Sequence, residues 1–211
     1  MELTKFGHAC VRLEKGGQRL VIDPGALSPE PDVLAGAAAV LVTHVHFDHL
    51  DAERLIAAAD ADPHLVVYTC QEAAEPLQVL GDRVHVLRHG DQVAVAGFSV
   101  EAVGERHHVA HPDWPPSNNI GFLIDGTVFH PGDALTEIPV QTLLVAGQAP
   151  WLTMMDLILY LRRMRPRRAY AIHDGLMNDW GLKVLGNVLD REASHLGIEI
   201  RRPAVGETIA I

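Results

Sequence analysis

Apolar positions in the first part of the chain fall in short runs. LTKFG (3–7), ACVRLE (9–14) and QRLVID (18–23) are rich in strand-forming residues, and Gly16-Gly17 divides the last two as a hairpin turn would. VLAGAAAVLVTH (33–44) reads as a buried strand approached through small residues, and DAERLIAAADAD (51–62) changes to the period of a helix starting at Asp51. HLVVYTC (64–70) is a further strand, followed by a short helix around QEAAEPLQVLG (71–81). RVHVLR, QVAVAGFSVEAV, NIGFLID and TVFHPG return to strands, with Asp125-Gly126 as a tight hairpin turn between the last two. WLTMMDLILYLRRMR (151–165) is strongly amphipathic, RAYAIH (168–173) is a buried strand, and DWGLKVLGNVLDREASHLG (179–197) is a helix before the strands IEIRR and ETIAI. Strands accompanied by helices in both halves predict two sheets packed together with helices outside.

At 211 residues, 48% of them hydrophobic, the chain can bury one sizeable core, and residues 1–211 are expected to form a single domain. No apolar window reaches the roughly 18 residues that cross a bilayer, and MELTKFGHAC lacks a basic segment followed by an apolar one, so a cytoplasmic location without membrane partners is expected. Cys10 and Cys70 lack metal-finger spacing and read as buried thiols. A formal charge of -10 argues against nucleic acid as a partner, because such surfaces need clustered cations to displace counterions. The one basic cluster, RRMRPRR at 162–168, reads as the solvated end of a helix.

Histidine changes the picture: there are 13, and THVHFDHLD (43–51) places three of them and an aspartate within six positions, directly after a buried strand. Side chains two apart on extended backbone face the same way, so His44 and His46 can converge on one point, while Asp48 and His49 in the turn beyond can aim at a second. Random filling would place H-x-H-x-D-H in such a chain with odds on the order of one in a thousand.

THVHFDHLD resembles the signature of the metallo-β-lactamase-fold superfamily, and the companions follow in order: LVIDPG (20–25), ERHHVAHPD (105–113), FHPGDAL (129–135) and YAIHDG (170–175). KFGHACVRLE at 5–14 is most similar to the small branch that includes L-ascorbate 6-phosphate lactonase-like proteins. The resemblance implies an α/β four-layer αββα sandwich. It also implies that His44, His46 and a histidine of ERHH hold one metal, that Asp48, His49 and His173 hold a second, and that Asp133 bridges them. Asp23 would orient a ligand histidine. His107 and His108 are adjacent and would point to opposite faces of extended backbone, so one of them binds; the branch pattern of a ligand directly after Arg favours His107.

His111 is placed either against substrate or as a cap on a Pro-rich loop, and His8 either beside the ligands, on the pocket wall, or as a satisfied buried histidine. His130 reads as structural, and His64, His85, His89 and His195 have no motif around them. Trp114, in HPDWPPSNN, is a candidate substrate contact at a rigid pocket lip, whereas Trp151 at a helix start reads as core packing.

A donor set of nitrogen and oxygen without thiolate suits two Zn²⁺ ions and leaves Mn²⁺ and Fe²⁺ open. Two such ions, two ligand carboxylates and a hydroxide held between them would leave the site near about +1, which favours an anionic small-molecule substrate. The implied chemistry is hydrolysis of an ester-like bond, a lactone or phosphoester of a small metabolite, with Asp48 as ligand and as the group that steers hydroxide or receives a proton. The alternatives are a small-nucleotide or lipid phosphodiesterase and a metal-dependent binding or sensing protein without catalysis.

Overall fold

The computed structural model describes residues 1–28, 30 and 32–211. Its first sheet contains β1 (Glu2–Lys5), β2 (Val11–Lys15), β3 (Gln18–Ile22), β4 (Ala39–Val42), β5 (Val66–Thr69), β6 (Val84–Val86) and β14 (Thr208–Ala210), in the order β14-β1-β2-β3-β4-β5-β6. The second contains β7 (Gln92–Val95), β8 (Phe98–Val103), β9 (Gly121–Ile124), β10 (Val128–His130), β11 (Thr142–Ala146), β12 (Arg168–Ile172) and β13 (Glu199–Arg201), in the order β13-β12-β11-β10-β9-β8-β7. The helices are α1 (Ala52–Ala61), α2 (Gln71–Ala74) running into a 3-10 stretch (Glu75–Arg83), α3 (Met154–Met164) and α4 (Asp179–Leu196).

Side-chain alternation assigns the layers. On β12, Tyr170 and Ile172 join the core shared with the first sheet, while Ala169 and Ala171 face outward with Leu157, Leu161, Leu185 and Leu189 of α3 and α4. β11 divides in the same way, Leu144 inward and Leu143 and Val145 outward. On the far side, Leu55 and Ala59 of α1 and Leu77 and Leu80 of the 3-10 stretch cover the first sheet. This is the expected αββα sandwich.

Helix starts follow local chemistry. Asp51 caps α1 by accepting from the Arg54 amide at 3.1 Å, and Thr153 and Asp156 form a reciprocal capping box on α3. Arg162 and Arg163, in the last turn of α3, pair with Glu192 and Glu137, so the basic cluster begins as the end of that helix. Both cysteines are buried and free, and burial pushes both thiols up in pKa.

Three elements differ from expectation. β11 carries no alternation and no turn signal of its own, because a strand buried on both faces is continuously apolar. The run 33–44 forms strand only at Ala39–Val42, its Ala- and Gly-rich start being weak strand formers. QVAVAGFSVEAV is a hairpin, turned at Ala96 and Gly97, both at positive φ.

β3, β4, β5 and β6 are mutually parallel, as are β10, β11, β12 and β13. β1 and β8, each two antiparallel steps away from β3 and β10, run in the same sense as those strands. The loops that follow β1, β3, β4, β8, β10 and β12 carry His8, Asp23, the 43–51 motif, His107, Asp133 and His173. All of the candidate chemistry except the exposed loop tip is thus delivered from carboxyl ends of strands.

Candidate metal centre

Asp23 anchors the back of the site. Fully buried and at φ 52°, it accepts from the Thr43 amide at 2.7 Å, from the Thr43 hydroxyl at 2.7 Å, and from His49 Nδ1 at 2.7 Å. Its loop packs so tightly on the motif that a Cβ on Gly25 would lie 2.0 Å from the Asp48 carbonyl oxygen. His173 also holds a left-handed backbone, φ 57°, with its amide donating to the His8 carbonyl at 2.6 Å. The next residue, Asp174, is clamped by buried Lys5 at 2.5 Å and by Arg202 at 3.1 Å. Strain of this kind persists only where the surroundings over-determine it.

The hydrogen bonds set the histidine tautomers. His107 Nδ1 lies 2.5 Å from the His108 carbonyl and His173 Nδ1 lies 2.5 Å from the Gln148 carbonyl, so both nitrogens carry the proton. His49 Nδ1 faces the Asp23 carboxylate, and His44 Nδ1 lies 3.0 Å from the Thr43 hydroxyl, whose own proton goes to Asp23. In their neutral forms, all four rings therefore turn an Nε2 lone pair inward. His8 is the reverse case: its Nδ1 accepts from the Gly175 amide at 2.9 Å, which puts the proton on Nε2, 3.1 Å from Asp48 Oδ2. This geometry makes His8 a donor to Asp48.

Asp133 stands among these lone pairs. Its Oδ1 is 3.2 Å from His49 Nε2 and 3.2 Å from His173 Nε2, and its Oδ2 is 3.3 Å from His107 Nε2. Those three Nε2 atoms and Asp133 Oδ1 are buried without a hydrogen-bond partner among the described residues. Lone pairs facing a carboxylate at such distances repel unless a cation lies among them, so the donor set fits a divalent ion. Without metal, protons serve instead: burial would lower the His49 pKa, but Asp133 and Asp23 outweigh it and raise it well above the ordinary value. Burial would raise the Asp133 pKa, yet His49 and His173 hold it well below the usual carboxylate range. His44, fully buried and beside His49, is pushed well down.

Ligand-capable atoms within 4.8 Å of one another form three groups: His44, His46 and His107; His8, Asp48, His49 and His173; and His44, His49 and Asp133. His44 Nε2 and His46 Nδ1 approach to 3.1 Å across a bend at Val45 and His46, the strand having ended at Val42 instead of continuing through the two histidines. All seven candidate ligands are therefore brought together, and Asp23 and His8 lie directly against them. His108 is outside the cluster, exposed and stacked on Trp151 at 4.9 Å. His111 and Trp114 are exposed, with their rings 5.1 Å apart; His111 Nδ1 accepts from the Asp113 amide at 3.1 Å, the loop-capping role. His130 uses both nitrogens structurally, bonding the Ala9 carbonyl and the Gly132 amide.

Trp151 is packed in the core, as expected, but its polar role was missed. Its indole N–H donates to Asp133 Oδ2 at 2.8 Å, so it is a partner of the central carboxylate and not merely core. Asn119 was missed as well: it accepts from the Asp133 amide at 2.9 Å and donates to the Pro131 carbonyl at 2.9 Å. Neither residue has a motif that would have announced it. Thr43 opens the THVHFDHLD motif and offered the only such signal.

Residues 2–167 match the β-lactamase superfamily domain. Protein Rv0786c of Mycobacterium tuberculosis is 37% identical over 185 residues, 84% of this chain and 85% of that protein. A UPF0173 metal-dependent hydrolase of Pyrobaculum arsenaticum is 28% identical over 199 residues, covering 82% of this chain and 84% of its own length. Among solved structures, Igni18, a metallo hydrolase from the archaeon Ignicoccus hospitalis, superposes with a TM-score of 0.73 at 21% identity, over 99% of this chain and 97% of that one. With the sandwich, the carboxyl-end loops and the inward lone pairs already in place, these likenesses close the question of kinship: the chain belongs to the metallo-β-lactamase-fold superfamily and is a metal-dependent hydrolase.

Proposed function

We propose that the chain hydrolyses an ester-like bond, a lactone or phosphoester, in a small anionic metabolite, using two divalent ions, Zn²⁺ in the first instance. His44, His46 and His107 would hold one ion, Asp48, His49 and His173 the other, and Asp133 would bridge them. The observation that carries this reading is the convergence of the buried Nε2 atoms of His49, His107 and His173 on Asp133 at 3.2 to 3.3 Å, none of them with a hydrogen-bond partner among the described residues. When bound, such ions lower the pKa of coordinated water toward about 7 and polarise the bond under attack.

The chain's own residues supply the rest. Asp23, Thr43 and the carbonyls of His108 and Gln148 hold the imidazoles in one tautomer, which removes any reorganisation from the reaction. Burial would raise the Asp48 pKa, but the hydrogen bond from His8 and the nearby His49 hold it down to about 2, so the carboxylate is ionised, as a metal ligand or a group that steers hydroxide must be. Asp48 and His46 are the partly exposed members of the cluster, so substrate approaches from their side. Residues 1–211 would act as one domain, a reading supported by β14 pairing with β1 and by β12 and β13 completing the second sheet.

Metal-loaded protein screened against lactones, bis(4-nitrophenyl) phosphate and thioesters tests the proposal, with metal per chain measured alongside. Asp48→Ala should remain folded and lose turnover. Equal rates in variant and parent would remove the catalytic assignment.

A further inference from the structure

A cavity of about 420 Å³ lies between the β5–α2 junction, the end of β6 and the 105–120 loop. Its polar lining includes Arg88, Arg106, Gln71 and Asn118, and its apolar lining includes Leu87 and Ile120. Two chain stretches tie this cavity to the metal centre, and a third closes its rim. Arg106 precedes His107, whose Nε2 faces Asp133. The Ile120 amide donates to the Thr43 carbonyl at 2.9 Å, beside His44. The Asn118 amide donates to Glu72 Oε2 at 2.7 Å, closing the loop over α2.

Neither guanidinium makes an ion pair or a side-chain hydrogen bond among the described residues, although most other arginines of this acidic chain do. Glu105 also lines the cavity and pairs with neither, which leaves two cations against one anion. A concave site with an apolar floor and a few convergent polar groups is built for an amphiphile, and two unpaired guanidinium groups select an acidic one.

We infer that this cavity binds the end of the substrate remote from the bond that breaks: an acidic group, carboxylate or phosphate, carried on a short apolar chain and held by Arg88 and Arg106. The inference rests on the hydrolytic reading for the reaction, and on the cavity alone for binding. Binding energy collected there would hold the scissile bond at the metal centre.

Two substrates with the same six-carbon acyl chain separate the effects: 4-nitrophenyl hexanoate, and the mono-4-nitrophenyl ester of adipic acid, which ends in a carboxylate. Water cleaves either to the acid and 4-nitrophenol. The expected result is a higher kcat/KM for the adipate ester, and a fall of at least about tenfold in the adipate-to-hexanoate ratio in Arg88→Ala/Arg106→Ala. Calorimetric titration of the metal-loaded protein with monomethyl adipate and with butyl phosphate decides between carboxylate and phosphate, and the double variant should weaken whichever binds by about tenfold or more. An unchanged ratio, or binding unaffected by the two substitutions, would overturn the inference. If neither ester turns over while the isotherms respond to the arginines, the ester reading fails and the cavity stands.

Discussion

The wall behind the metal centre and the lip in front of it are built on different principles. Behind, Asp23, Thr43, His49 and Asp133 are buried, and Asp23 and Thr43 carry several hydrogen bonds each. In front, Phe47, Val109 and Trp114 are exposed, and the loop carrying Trp114 is held mainly by backbone contacts. The wall has one arrangement because any departure strands a buried polar group. The exposed side chains of the lip are free to vary because no buried polar group among the described residues hydrogen-bonds to them, which is why they are suited to substrate selection.

The sharpest way to break the contrast is Gly25→Ala. A Cβ there would sit 2.0 Å from backbone of the motif loop, so the whole turn has to move, with an expected loss above about 4 kcal/mol in denaturant unfolding and of metal binding in calorimetry. Asp23→Ala follows, at about 3 kcal/mol, because it leaves the Thr43 amide and His49 Nδ1 buried without an acceptor. Retention of full metal affinity in that variant would show that the wall does not orient the ligands. Trp151→Phe keeps most of the packing and removes one hydrogen bond to a carboxylate, for which about 2 kcal/mol is expected, shared between stability and metal affinity. A stability loss with metal binding intact would reduce Trp151 to packing.

The wall was also the more legible part. His44, His46, Asp48 and His49 are near neighbours in sequence, so one bend and turn directly after β4 suffice to converge them. Asp23 was legible because it ends a predicted strand in a recognisable turn. Trp151 and Asn119 were not, since each reaches Asp133 across 14 to 18 residues through contacts that only the folded sheet creates. The choice between His107 and His108 stayed open because Gly104, at φ 82°, breaks the strand parity. The fold supports His107: the His108 amide donates to the Asp133 carbonyl at 2.8 Å, and the His107 ring faces the carboxylate. β11 escaped for the opposite reason, having too little polarity to show a period.

The smallest expected effect on stability belongs to the lip, and it is the most informative about substrate. Trp114 is 65% exposed and touches His111 at the loop tip, so Trp114→Ala should change unfolding free energy by less than about 0.5 kcal/mol. With the fold and the wall undisturbed, any kinetic change reports contact with substrate. The expected outcome is a raised KM with kcat preserved, the signature of binding lost equally from ground and transition states. An unchanged KM would assign selection to the arginine-lined cavity alone and leave Trp114 as cover for a capped, Pro-rich turn.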